Sequence, residues 1–125
     1  MESEKVIMFL DGINGQLYLY ENRVLIKRRG TVANMTHNLK DWRYYHTKLR
    51  EKELTILLYQ IERIELKKVV IPLTNGYIRF VTTNAKDVKN IYEAAQDDNT
   101  LMFGLLKQKT AIEIQQYLED LLSRR

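Results

Sequence analysis

Cysteine is absent from all 125 residues, which excludes disulfides, thiolate zinc sites and a cysteine nucleophile. A chain of this kind suits a reducing compartment. Histidine is scarce: His37 and His46 are the only two, and without an evident third ligand they make a poor metal site. Proline occurs once, as Pro72 in the loop-like stretch VVIPLTNG. Long apolar runs are missing too. Val6 to Leu10 is too short for a signal core or a membrane span, and the surrounding MESEKVIMFLDG mixes charges of both signs. These features predict a soluble cytoplasmic domain. Enzyme signatures are missing as well: the chain holds no G-x-S-x-G, P-loop, G-x-G-x-x-G or H-E-x-x-H. The carboxylate doublet Asp97-Asp98 precedes a strand-like run and reads as a solvated turn or a cap. No nucleophile stands beside a base. The expectation is a non-enzymatic chain with no cofactor and no metal.

What is present suffices for one folded domain spanning 1–125. Apolar residues make up 45% of the chain, enough for an ordinary core. The net charge of +4 is unevenly placed. Residues 27–52 hold eight Lys or Arg against Asp41 and Glu51, a balance of +6 that leaves −2 for the remainder. A concentrated basic segment suggests an acidic partner: phosphate, anionic lipid or an acidic protein face.

Strand patterns dominate. QLYLYE sets Leu17 and Leu19 on one face, and RVLIKRR sets Val24, Ile26 and Arg28 on one face with Lys27 and Arg29 on the other. Glu21-Asn22 between them predicts a two-residue hairpin turn. LTILLYQ reads as a buried strand. IERIELKK places Ile64 and Leu66 together. GYIRFVTT, after the Asn75-Gly76 turn signal, places Ile78 and Phe80 on one face with Arg79 opposite. NTLMF is a further short strand. From Lys109 to Leu122 the period changes: Ala111, Ile114, Leu118 and Leu121 fall on one face of a helix. Thr110 and Glu113 match a capping box at its start. Many strands closed by one amphipathic C-terminal helix is an α+β pattern. The segment DWRYYHTKLREKEL, residues 41–54, predicts an inserted helix or a projecting hairpin. Trp42, Tyr45 and Leu49 stand at helical spacing within it.

Taken together, NGQLYLYENRVLIKRRG, MTHNLK, IERIELKK, TNGYIRF and DDNTLMF resemble the bacterial pleckstrin-homology-like domain family. The likeness is to an uncharacterised branch with TNGYIxF and DxNTxxF strands, and it spans about residues 10–120. It implies a barrel of two nearly orthogonal antiparallel sheets, about seven strands in all, capped by the C-terminal helix. It also implies a structural hydrogen-bonding role for His37 and turn-shaping roles for Asn75-Gly76 and Asn99-Thr100. Asn38 and Asp41 depart from the family's glycines at those positions, and residues 41–54 read as an insertion there.

The insertion carries the leading functional reading. Trp42, Arg43, Tyr45, Lys48 and Arg50 interleave aromatics with cations, the composition of a protein-contact hot spot. Lys27 and Arg29 would steer an acidic partner towards it. The expected activity is binding of a protein with an acidic face. In a chain this small, that also fits a phage or mobile-element inhibitor of a host nuclease or defence protein. The rival is a peripheral module that takes anionic lipid or nucleic acid through 27–52. A self-assembling structural domain is a third reading. In the plainest alternative, Trp42, Tyr45 and Leu49 pack the insertion onto the barrel and the 27–29 cations end a wet strand. Arg28, on the apolar face, is predicted to snorkel or to pair with a carboxylate.

Overall fold

The alternating runs QLYLY and RVLIK form the hairpin their periodicity predicts. In a computed structural model, β1 (Met8–Asp11), β2 (Gly15–Leu19) and β3 (Arg23–Arg28) are successive antiparallel strands. The structure describes residues 5–28, 31–35, 44–48, 52–71, 74–83, 85, 87–89, 93–94 and 97–124, with the backbone alone for 31–35, 44–48 and 52. Glu21-Asn22 is the β2–β3 turn, and the Tyr20 N–H donates to the Arg23 carbonyl at 2.9 Å. Period-two alternation sends Leu17, Leu19, Val24 and Ile26 inward, all fully buried.

The chain continues through β4 (Thr31–Met35), β5 (Tyr44–Lys48) and β6 (Lys52–Leu57). β6 pairs with β3 and completes a four-stranded sheet in the order β1-β2-β3-β6. β4 and β5 pair with each other as a separate two-stranded ribbon. The second large sheet is β7 (Ile61–Lys67), β8 (Gly76–Thr82) and β9 (Thr100–Phe103), again antiparallel throughout. The helix α1 (Gln108–Ser123) follows. The class is thus α+β: seven strands in antiparallel sheets of four and three, plus a C-terminal helix, with the ribbon in addition.

One apolar cluster joins the layers. The first sheet contributes Leu10, Leu17, Leu19, Val24, Ile26 and Ile56. The second contributes Ile61, Ile64, Ile78, Phe80, Leu101 and Phe103. Ala111, Ile114 and Leu118, one face of α1 as the period predicts, pack onto them. The β1–β2 loop stitches the sheets at one corner. Ile13 N–H donates to the Met102 carbonyl at 2.7 Å, while the fully buried Asn14 amide donates to the Thr100 carbonyl at 3.0 Å and accepts from Met102 N–H at 2.8 Å. Asn14 thereby serves β9 as a strand residue would, which keeps buried backbone groups satisfied.

Three expectations need correction, and one strand face proves more buried than alternation alone implies. LTILLYQ is a strand only to Leu57; Leu58–Gln60 is a 3₁₀ turn, and Tyr59 is 76% exposed. The Gln60 side chain accepts from Leu57 N–H at 2.9 Å, a local bond that ends the ladder and turns the chain into the second sheet. The helix starts at Gln108, not at a Thr110–Glu113 box, because a 3₁₀ turn at Leu105–Lys107 feeds it directly and Lys107 is already in helical conformation. Arg79 stands on the face of β8 opposite Ile78 and Phe80, as the alternation predicts, and that face is buried as well: Arg79 is 1% exposed. Within 41–54 the helix alternative fails wherever the chain is described. Tyr44–Lys48 and Lys52–Leu57 are strands, since Tyr44, Tyr45 and Thr47 suit strands and the ladder decides over helical spacing.

Candidate functional site

Register fixes where the ribbon leaves the sheet. The last β2–β3 pair is Gly15↔Arg28, and the last β3–β6 pair is Arg28↔Lys52. Pairing resumes at Thr31↔Lys48 and runs for five pairs to Met35↔Tyr44. β4 follows β3 and β5 precedes β6, so the ribbon extends the β3–β6 hairpin past the point where β2 stops. Five pairs make an arm about 17 Å long. This is the hairpin alternative of the sequence reading, but its first strand begins upstream of residue 41.

The base of the arm is pinned electrostatically. Arg28, 7% exposed, follows Val24 and Ile26 inward, and its Nη1 donates to Asp98 Oδ1 at 2.8 Å. The pairing with a carboxylate agrees with the expectation from strand alternation. One residue away, Asp97 holds the second buried arginine: Arg79 Nε donates to Asp97 Oδ2 at 3.1 Å. Thr100 Oγ1 donates to the same oxygen at 2.6 Å. Arg79 Nη1 reaches Glu65 Oε1 at 3.0 Å, and Glu65 Oε2 accepts from Arg63 Nη2 at 3.0 Å. Asn99 completes the turn, donating from Nδ2 to the Phe80 carbonyl at 2.9 Å. The doublet Asp97-Asp98 thus lies at the expected turn before β9, but neither carboxylate is unpaired. Each carboxylate neutralises a buried guanidinium from a different sheet.

These contacts set the local pKa values. Partial burial of Glu65 would raise its pKa, but hydrogen bonds from Arg79 and Arg63 outweigh that and hold the carboxyl below its ordinary 4.5. Burial of Arg79 opposes its charge, yet the bonds to Glu65 and Asp97 raise its pKa overall. Burial and the Glu65 charge push the Tyr77 hydroxyl up. A depressed carboxyl contributes stability that is complete above the unfolded value and is lost as pH falls through the folded one. Melting curves for the native chain and Glu65→Gln are therefore expected to differ at neutral pH and to converge as pH falls below 4.5. A gap that does not narrow as pH falls below 4.5 would contradict this.

Of the candidate contact residues, Lys27 is described in full. It is exposed on β3 opposite Glu53, its Nζ lies 3.8 Å from Glu53 Oε1, and it sits 5.2 Å above the Tyr18 ring, which stacks at 5.0 Å on Phe9. Tyr45 and Lys48 are placed by backbone register alone, opposite Asn34 and Thr31 on the arm. Trp42, Arg43, Arg50 and Arg29 lie outside the described residues, as do His37, Asn38 and Asp41. His46 pairs by register with Ala33. Among the described residues no group of three His, Asp or Glu could hold a metal. A groove of about 480 Å³ opens where β6 and the 3₁₀ turn face the end of β8, lined by Leu54, Ile56, Tyr59, Gln60, Thr82 and Asn99 among others, and none of its described lining side chains is charged.

The burial and pairing of Arg79 are what sequence reasoning missed at this end. Alternation sets Arg79 opposite Ile78 and Phe80 but does not show that this face is buried, and its partners lie 14 and 18 positions away. A usable signal was the acid pair beside Asn99-Thr100 in a chain where two strands each carry an arginine at an inward position.

Fold and site together define an α+β domain with a hairpin arm standing on a carboxylate-locked base. A comparison of the chain with family models, curated proteins and solved structures finds no match.

Proposed function

We propose that the chain is a non-enzymatic, cytoplasmic protein-binding module of pleckstrin-homology-like architecture, whose hairpin arm engages a protein with an acidic face. A four-stranded antiparallel sheet with the ribbon inserted before its last strand, then a three-stranded one, then a terminal helix is consistent with such a barrel, which supports the architectural part of the reading. The functional part rests on one observation. The segment that carries +6 of the chain's charge includes a ribbon running beyond the four-stranded sheet. Trp42 and Arg43 fall between its two strands in sequence, and Tyr45, Lys48 and Arg50 lie on or beside its second. Aromatic and arginine anchors would supply affinity, and the lysines would supply steering. Inhibition of a nuclease or defence protein by a phage or mobile-element product is one form this binding would take.

The same charge favours a second reading, capture of anionic lipid or nucleic acid by the arm, with self-assembly as a third. Affinity capture of the tagged chain from nuclease-treated lysate separates them. The expected result is one protein, retained at raised salt and lost with Trp42→Ala/Arg43→Glu. Capture that depends on nucleic acid and collapses with salt would overturn the protein reading.

A further inference from the structure

The second sheet ends in two apolar turns that the arm does not involve. Register sets Lys67 opposite Tyr77 and Gly76 opposite Phe103, so the β7–β8 turn and the β9–α1 link leave the sheet side by side. They are tied together: Val69 N–H donates to Gln108 Oε1 at 2.7 Å, and Val70 bridges to Thr74 within the turn. From this end project Val70, Ile71, Leu105 and Leu106, four of the eight large apolar side chains exposed among the described residues. Leu106 is 95% exposed and Ile71 66%.

Charge surrounds them with one sign. The stretches 66–76 and 103–112 contain Lys67, Lys68, Lys107 and Lys109 and no Asp or Glu. Lys68, Lys107 and Lys109 are exposed, while the Lys67 ammonium is held by Thr74 Oγ1 at 2.7 Å. Aliphatic tips on two adjacent turns, with exposed lysines beside them in the same short segments, match the two layers of a bilayer surface. The tips enter the acyl boundary, and the ammonium groups stay at the phosphates. A protein hot spot would instead be expected to show exposed aromatics and arginine, whereas the four exposed tips are aliphatic and the aromatics at this end, Tyr77 and Phe103, are half-buried and buried.

The geometry points to a membrane-docking end: the β7–β8 turn and the β9–α1 link seat the chain on an anionic phospholipid surface. The orientation that follows is specific. Asp98, which holds the arm's base, lies just before β9, and the apolar link lies just after it. The docked chain therefore keeps its arm away from the lipid.

Co-sedimentation of the full chain with phosphatidylcholine vesicles, with and without phosphatidylserine, tests this. Binding is expected only with phosphatidylserine. Ile71→Ser/Leu106→Ser is expected to weaken it about tenfold or more, and Lys68→Glu/Lys107→Glu comparably. Arg43→Glu/Arg50→Glu in the arm is expected to leave it within about threefold. Ile71, Leu106, Lys68 and Lys107 are exposed, so the variants at these four positions should keep the native melting temperature. Failure to bind phosphatidylserine vesicles, binding indifferent to Ile71→Ser/Leu106→Ser, or loss confined to the arm variant would overturn the inference. Light scattering that shows a dimer dissolved by the serine substitutions would overturn it in favour of a second copy of the chain.

Discussion

Asp97→Ala is expected to destabilise the chain by ~3–5 kcal/mol, among the largest effects of any single polar substitution. The Arg79 side chain is 1% exposed and cannot deprotonate to escape its environment. Removing Asp97 takes away the acceptor at 3.1 Å from Nε, while Glu65 keeps its contact with Nη1 at 3.0 Å. Thr100 Oγ1 loses its acceptor at the same time. Most of that cost arises from stranding a charge, not from losing an attraction. Arg79→Met combined with Asp97→Ala is therefore expected to recover most of it, because an apolar side chain of similar length has no desolvation penalty there. Urea midpoints for the two single variants and the double variant give the coupling directly. A cost for Asp97→Ala below ~1 kcal/mol would mean that water reaches the guanidinium.

Gly15→Ala is expected to cost ~3 kcal/mol or more, for a steric reason. A methyl group at this position would stand 2.2 Å from the Lys27 carbonyl oxygen and 2.9 Å from the Arg28 Cα. Both are backbone atoms of the paired strand, so no rotamer change relieves the clash. The residue also has a φ of +157°, a conformation that side chains rarely adopt. The strain would fall on the pair that forms the arm's base, Gly15↔Arg28. Gly104→Ala is the control: nothing lies within 4 Å of its added methyl, and a change within ~1 kcal/mol is expected. Equal unfolding midpoints for the two variants would contradict the close approach at Gly15.

What was legible in the sequence follows the range of the forces involved. Leu17, Leu19, Val24 and Ile26 betray their face because alternation is local, and the Glu21-Asn22 turn lies between them. Ala111, Ile114 and Leu118 betray theirs through helical period. Arg28 was readable as inward-facing for the same reason, although its partner is 70 positions away. Arg79 was not, because GYIRFVT alternates cleanly and nothing local says that both faces of β8 are buried. The β4–β5 ribbon escaped in part because Trp42, Tyr45 and Leu49 also satisfy a helical spacing. Pairing of β5 with β4 decides the matter, and that pairing is non-local. Leu58-Tyr59 read as buried since apolar runs carry no information on where a strand turns.

The central claim is that the arm is a binding element on a body that folds without it. Arg28 and Lys52 are directly opposed in the ladder, so residues 29–51 can be replaced by Asn-Gly, which closes a two-residue hairpin. The most direct measurement compares this shortened chain with the native one in urea unfolding and in partner capture. The account predicts unfolding free energies within ~1 kcal/mol of each other and complete loss of the captured protein. A shortened chain that fails to fold, or one that still retains the partner, would contradict it.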